Sequence, residues 1–188
     1  MRDAEMSFYS LSELHALGIR TEGSDVFVSR KCSLYTNSLV VGNHVRIDDF
    51  CILSGDITIG SYVHISAYSA LYGKGGIQIG NFCGVSPRST LLSASDDFSG
   101  EHMISPMVPA ELCGITASPI VMENFCQFGA NTTVLPGVTA HEGAVTGACS
   151  LVLSDLEEWS IYFGIPCRRV KARNRNAKEM AIHALNWR

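Results

Sequence analysis

The stretch Val41-Gly-Asn-His-Val-Arg-Ile47-Asp-Asp-Phe-Cys-Ile-Leu53-Ser-Gly-Asp-Ile-Thr-Ile59-Gly-Ser-Tyr-Val-His-Ile65-Ser-Ala-Tyr-Ser-Ala-Leu71 returns to itself every six residues. Val41, Ile47, Leu53, Ile59, Ile65 and Leu71 keep one phase, and Val45, Cys51, Ile57, Val63, Ser69 and Gly75 keep a second, of small or β-branched residues. After Gly73-Lys-Gly-Gly76 the phase restarts at Ile79, Val85 and Leu91, with Cys83 in register. It returns as Met122, Phe128, Val134, Ala140, Thr146 and Val152, with Cys126, Thr132, Val138, Ala144 and Ser150 in the second phase. A six-residue period matches neither the helical nor the strand alternation. It suits a chain that turns every six residues, three short strands closing a triangular coil of eighteen, with coils stacked in parallel. The predicted fold is an all-β, single-domain parallel β-helix of five to six coils. The aliphatic residue points inward, the small residue lets the wall close, and Gly, Asn or Asp takes the tight turn.

Composition fits one folded domain. The 188 residues are 46% hydrophobic and 17% charged, enough to build a core, and the net charge of −4 argues against a non-specific nucleic-acid binder. No apolar run approaches the length of a membrane span, and Met1-Arg-Asp-Ala-Glu-Met6 lacks the apolar core of a signal peptide. The expectation is a cytoplasmic protein. Seven cysteines, an odd number with no CxxC spacing, fit neither a disulfide framework nor a zinc ribbon. Cys51, Cys83 and Cys126 sit at inward positions and read as core.

The repeat occupies 26–170. Before it, 1–25 form a capping segment in which Ser10 and Glu13 make a capping box for a short helix, with Leu11, Leu14 and Leu17 as its face and Gly18 as its stop. The tail 171–188 is basic and ends in a short helix with Met180, Ile182, Leu185 and Trp187 as apolar contacts. Residues 94–118 break the period; a loop of that length in a compact domain is usually functional.

Several stretches carry a resemblance: Val45-Arg-Ile-Asp-Asp-Phe-Cys-Ile-Leu-Ser-Gly55, Val63-His-Ile-Ser-Ala-Tyr-Ser-Ala-Leu-Tyr-Gly73, Ser95-Asp-Asp-Phe-Ser-Gly-Glu101, Leu135-Pro-Gly-Val138 and Trp159-Ser-Ile-Tyr-Phe-Gly-Ile-Pro-Cys-Arg168. Together, over roughly 26–173, they resemble the hexapeptide-repeat acyltransferases, in the branch of sugar O- and N-acetyltransferases of surface-polysaccharide and O-antigen synthesis. The resemblance implies a left-handed winding, which spacing alone does not reveal, a homotrimer with active sites at the subunit seams, and acetyl-CoA as co-substrate near the C-terminal coils. It points to N-acetylation of a nucleotide-linked 4-amino-4,6-dideoxy sugar, with O-acetylation of a galactoside or polysaccharide hydroxyl as the alternative. The third block departs from the pattern: Glu123 and His141 stand where glycine is usual, and Phe128, Ala140 and Thr146 replace aliphatics.

Acyl transfer from a thioester needs an acceptor lone pair, a base and donors for the oxyanion. His64 follows the inward Val63, so it points outward from a flat wall and is a candidate base. His102 lies in the long loop beside Glu101. Asp96 falls where galactoside-type relatives carry their catalytic His, and Asp97 adjoins it; either carboxylate would hold an ammonium, orient His64, collect a proton or cap the loop. His44 and His141 fall at turns, His15 in the capping helix and His183 in the tail. The resemblance places the acyl carrier against Ala130, Gly147, Ala148 and Ser150, with Pro166, Arg168 and Lys171 at its phosphates and Arg169, Arg173 and Arg175 sharing that work. Ser66, Tyr68, Tyr72 and Glu101 are candidate sugar contacts. Two further readings stand beside the enzyme: a carbonic-anhydrase-like metal β-helix, which needs converging imidazoles although His44 and His64 are twenty apart rather than eighteen, and a non-catalytic scaffold.

Overall fold

The computed structural model describes residues 7–187. A helix, Leu11–Ala16, opens the fold, its N-terminus closed by the reciprocal Ser10–Glu13 capping box. The chain then winds into a prism of three walls. One wall stacks Val26–Val28, Val45–Ile47, Val63–Ile65, Gly84–Val85, Gln127–Phe128, Val145–Thr146 and Ser160–Gly164, with Cys167–Ala172 added antiparallel at its end. We call it the His64 wall. The long strands Ser33–Val41, Ile52–Ile59 and Ala70–Ile79 each serve both other walls. Ala70–Tyr72 pairs with Thr90–Leu92, whereas Ile77–Ile79 pairs with Ile120–Met122.

The His64 wall holds seven parallel rungs, eight strands less the antiparallel one, where the repeat predicted five to six coils. The repeat is degenerate at both ends. Val26–Val28 sits nineteen residues before Val45–Ile47 rather than eighteen, and Tyr162 sixteen after Thr146, so both rungs fall outside a strict hexad phase.

Burial follows the hexads. All fifteen first-phase residues, from Val41 through Val152, are no more than 5% exposed, including the departures Phe128, Ala140 and Thr146. The third block is as regular as the first: Glu123 and His141 pair across a corner at 3.2 Å. At one corner the small inward residues have a second task. Cys51, Ser69, Ser89 and Thr132 each donate to a carbonyl of the next coil's turn, at 3.2, 3.1, 3.0 and 3.4 Å. A buried turn carbonyl without a partner would be costly, so small donors at this position satisfy the backbone while filling the corner.

The left-handed corner positions are not the expected Gly, Asn or Asp alone. His44, Tyr62, Phe82 and Phe125 adopt φ between 55° and 64° in one column, and Phe50 and Tyr68 in another. This backbone costs a non-glycine residue roughly 1–2 kcal/mol. The rings stack coil on coil, with centroids 4.7 Å apart for His44–Tyr62, 4.7 Å for Tyr62–Phe82 and 4.9 Å for Phe82–Phe125, and such contacts are worth about 0.5–1.5 kcal/mol each. Beside them runs a polar ladder that adds the balance. The amides of Asp25, Asn43, Ser61 and Asn81 donate in turn to the side chains of Asn43, Ser61, Asn81 and Asn124 at 2.8–3.0 Å.

Ile79 and Met122, register partners, are 43 positions apart in sequence. A coil accounts for eighteen, so 25 loop out. This loop is tied at its neck by Ala94–Ser95 against Thr116–Ala117. The C-terminal helix, Asn176–Leu185, docks through Ala181 and the following Trp187, whose indole meets Phe82 and Phe125 edge-on at 5.7 and 5.1 Å. Met180, Ile182 and Leu185, expected as contacts, are exposed, because a single helix face reaches the prism. No described helix is long and apolar enough to cross a membrane.

Candidate active site

The strand alternation that buries Val63 and Ile65 turns His64 outward, with half its side chain exposed (51%). Arg46 lies opposite it one coil earlier and Gly84 one coil later. Asp48, just past the inward Ile47, reaches up to His64, with Oδ2 2.7 Å from Nε2, while its Oδ1 accepts from Arg46 Nε at 2.6 Å. Partial burial works to raise the Asp48 pKa, but the hydrogen bonds from Arg46 and His64 outweigh it and hold the carboxyl below the usual range. An ionised carboxylate only accepts, so the neutral imidazole carries its proton on Nε2 and Nδ1 keeps its lone pair. That is the orientation a general base needs.

A cavity of about 530 Å3 opens on this wall, lined by Arg46, His64, Ser66, Gly84, Ser86 and Gln127 among others. Gly84 shapes it: a Cβ there would lie 2.1 Å from Gln127 Oε1, so the glutamine folds into the space a side chain would take. Its Nε2 then donates to Ser86 Oγ at 2.8 Å. Ser66 shares the cavity with His64. Tyr68 is held at a corner, stacked on Phe50 with centroids 5.0 Å apart, and Tyr72 is part-exposed on another wall.

The loop carries a second His–carboxylate pair. Asp97 accepts from the Ser99 hydroxyl and amide at 2.9 and 2.7 Å, and from the His102 amide and Nδ1 at 2.9 and 3.2 Å. The Ser99 bonds, against some desolvation and with help from His102, hold the Asp97 carboxyl down to about 2. Asp97 therefore ties the loop's own turns together. Asp96 is exposed and its carboxylate has no partner among the described residues, and Glu101 is exposed nearby. Asp97 and His102 line a separate hollow with Phe98 and Met103, and neither Asp96, Asp97 nor Glu101 lines the His64 cavity.

The C-terminal coils sort the cations. Arg169 binds Glu157 at 3.1 Å and Ser160 at 2.9 Å. Arg173 donates to the carbonyls of Phe125 and Gly143 at 2.6 and 3.0 Å, and Arg175 meets Glu158 at 3.0 Å. Arg168 and Lys171 are exposed and make no ion pair among the described residues. Ala130 and Ala148 lie at neighbouring turns, while Gly147 is covered by Phe163, whose ring would touch a Cβ there at 1.8 Å. Ser150 is buried with its hydroxyl on the Gly147 carbonyl at 2.8 Å, and Pro166 follows a cis peptide bond on the exposed hairpin. Among the described residues no three His, Cys, Asp or Glu side chains gather as a metal site; His44 belongs to a corner and His64 to a wall.

A parallel β-helix of hexads with an extruded loop, an outward histidine and free cations on its last coils defines an acyltransferase of the hexapeptide-repeat class. No protein-family profile matches the chain. It is 35% identical over 179 residues, 93% of each protein, to the dTDP-4-amino-4,6-dideoxy-D-glucose acyltransferase of Escherichia coli. It is 28% identical over 151 residues to the putative lipopolysaccharide biosynthesis O-acetyl transferase WbbJ of Escherichia coli K12, covering 73% of this chain and 70% of that one. AntD, an N-acyltransferase from Bacillus cereus solved with dTDP and 3-hydroxybutyryl-CoA, superposes with a TM-score of 0.90 at 40% identity, covering 96% of this chain and 97% of its own. The chain belongs to the family of dTDP-amino-sugar acyltransferases.

Three contributors were missed in the sequence: Asp48, Ser86 and Gln127. Asp48 had no hexad signal, since it meets His64 only from the preceding coil, sixteen residues away. Gln127 had one, its place in the outward column once the 25 looped residues are removed.

Proposed function

We propose that the chain transfers the acyl group of an acyl-CoA to the 4-amino nitrogen of dTDP-4-amino-4,6-dideoxyglucose, giving an amide and free coenzyme A. One observation carries this reading: the near full-length likeness, at 40% identity and TM-score 0.90, to an AntD variant solved with that sugar nucleotide and coenzyme A. The amine lone pair attacks the thioester carbonyl, the C–N bond forms, and the C–S bond breaks with its pair going to sulfur. The proton shed by nitrogen passes to His64 Nδ1, held for it by Asp48, and from there to the thiolate. The AntD variants replace a serine and an aspartate ten residues apart, and Ser86 and Asp96 have that spacing here. Ser86 orients the amine, and Asp96 accepts a hydrogen bond from its N–H, leaving the lone pair free to attack.

Arg168 and Lys171 take the phosphates of the CoA carrier, whose arm passes Ala130 and Ala148; cations left unpaired are the ones a phosphate can recruit. Because Asp96 does not line the His64 cavity of its own chain, the site closes between copies, in a homotrimer. Phe98 and Met107, each 89% exposed on the loop, supply an apolar surface that a neighbour would cover. The enzyme works in the cytoplasm, in synthesis of a surface polysaccharide such as an O-antigen. The test is thiol release from acetyl- and 3-hydroxybutyryl-CoA with the purified protein. Turnover on dTDP-4-amino-4,6-dideoxyglucose and none on free glycosides is expected; turnover on hydroxyl acceptors alone would replace the amine by an alcohol.

A further inference from the structure

Ser86 and Gln127, brought together across the extruded loop, share the His64 cavity, and the hydrogen bond between them has a fixed direction. Gln127 Nε2 lies 2.8 Å from Ser86 Oγ and 3.2 Å from the Phe128 carbonyl oxygen. That carbonyl also accepts the Ser86 amide at 2.9 Å. A carbonyl oxygen has no proton to give, so the group facing it must be the NH2 end of the glutamine. Reversing the amide would set Oε1 against a carbonyl oxygen with no proton between them. Phe128 therefore fixes which end of Gln127 meets Ser86, and Ser86 is the acceptor.

The consequence lies in what Ser86 keeps. A hydroxyl has one proton and two lone pairs. Gln127 occupies one lone pair and takes no proton in return. The Ser86 proton has no acceptor among the described residues, so that proton and the second lone pair are left for what enters the cavity. A hydroxyl that accepts one hydrogen bond is also a stronger donor. The packing that holds the glutamine is equally specific. Its amide is folded against Gly84, where a Cβ would lie 2.1 Å from Oε1 and 3.0 Å from Nε2. Gly84 is not among the left-handed glycines, so the need at this position is for space and not for backbone freedom.

We propose that Gln127 is a positioning residue that acts through Ser86. It fixes the serine hydroxyl as a donor, leaving one lone pair to accept an N–H of the incoming amine and the proton to meet the thioester oxygen as that oxygen gains negative charge. This role rests on the acceptor assigned above. Without Gln127 the hydroxyl is free to turn its proton onto the amine lone pair, the pair that has to attack. Gly84 has the matching task of leaving room for the amide.

A double-mutant cycle read by steady-state thiol release tests it. Gln127→Met keeps the length of the side chain and removes the amide. It should lower kcat by about tenfold, the scale of one neutral hydrogen bond, with KM for acyl-CoA and for the dTDP-linked amine within about twofold. Ser86→Ala should lower kcat by about a hundredfold, and in that background Gln127→Met should cost less than about twofold more. A glutamine that merely fills the wall would lose the same factor in both backgrounds. That result overturns the proposal, as does a Gln127→Met enzyme with wild-type kcat. Should Gln127→Met fail to fold, Gly84→Ala evicts the amide with its Cβ and carries the same cycle with the same expected factors. The acceptor is tested separately by the wild type. Turnover on a hydroxyl alone overturns the amine acceptor, and the same cycle run on that hydroxyl still decides Gln127. No turnover on either acceptor overturns both.

Discussion

Of the five solvent-facing His–carboxylate pairs among the described residues, the one on the His64 wall and the one in the extruded loop are built differently. His64 and Asp48 come from successive coils, sixteen residues apart, and their spacing is fixed by the parallel ladder of the wall. His102 and Asp97 lie five residues apart in the extruded loop, where Asp97 spends most of its accepting capacity on Ser99 and the His102 amide. In the first pair the carboxylate orients an imidazole; in the second it folds a loop. A rigid scaffold holds reacting groups far more closely than a loop of its own making, so the first pair is the one suited to proton transfer.

The sharpest way to break this comparison is to remove each imidazole. His64→Ala should lower kcat by about a hundredfold or more, the scale of a lost general base, with KM for acyl-CoA unchanged, while His102→Ala stays within about threefold. Equal losses in steady-state assays would erase the distinction. Lys171→Ala should divide the site the other way, raising KM for acyl-CoA by about tenfold with kcat within about twofold, since a phosphate contact binds ground and transition states alike.

Asp48→Asn should cost about tenfold in kcat, because the amide no longer enforces one tautomer of His64. Steady-state rates that match wild type would detach Asp48 from His64. The smallest effect is expected in the loop. The Asp97 carboxyl is depressed to about 2, so its contribution is complete above about pH 4 and fades as pH falls towards 2. Amide exchange across 97–102 should therefore accelerate in that window while the coils stay protected. Asp97→Asn should produce the same loop-confined acceleration at neutral pH.

The inward residues were readable because hexad chemistry is local. A residue flanked by polar neighbours at a fixed phase has one way to be buried, and even Ala140 and Thr146 obey it. The outward face of His64 was readable for the same reason, being adjacent to Val63. The helix cap at Ser10 and Glu13 was legible from four residues. The αL corners were not, because a ring becomes acceptable there through another ring a coil away.

By itself, the sequence determined the prism, its inward columns, the length that loops out and the class of chemistry its motifs resemble. Only the tertiary structure decided which outward residues share a column and which cations stay free. Arg46, His64, Gly84 and Gln127 line up because 25 residues leave the coil between the last two. Among the described residues Arg168 and Lys171 are left unpaired because the returning strand Cys167–Ala172 brings Arg169 to Glu157 and the chain beyond it brings Arg173 to the carbonyls of earlier coils. Inward position is a property of six residues, whereas partnership is a property of residues that meet only after the whole stack has formed.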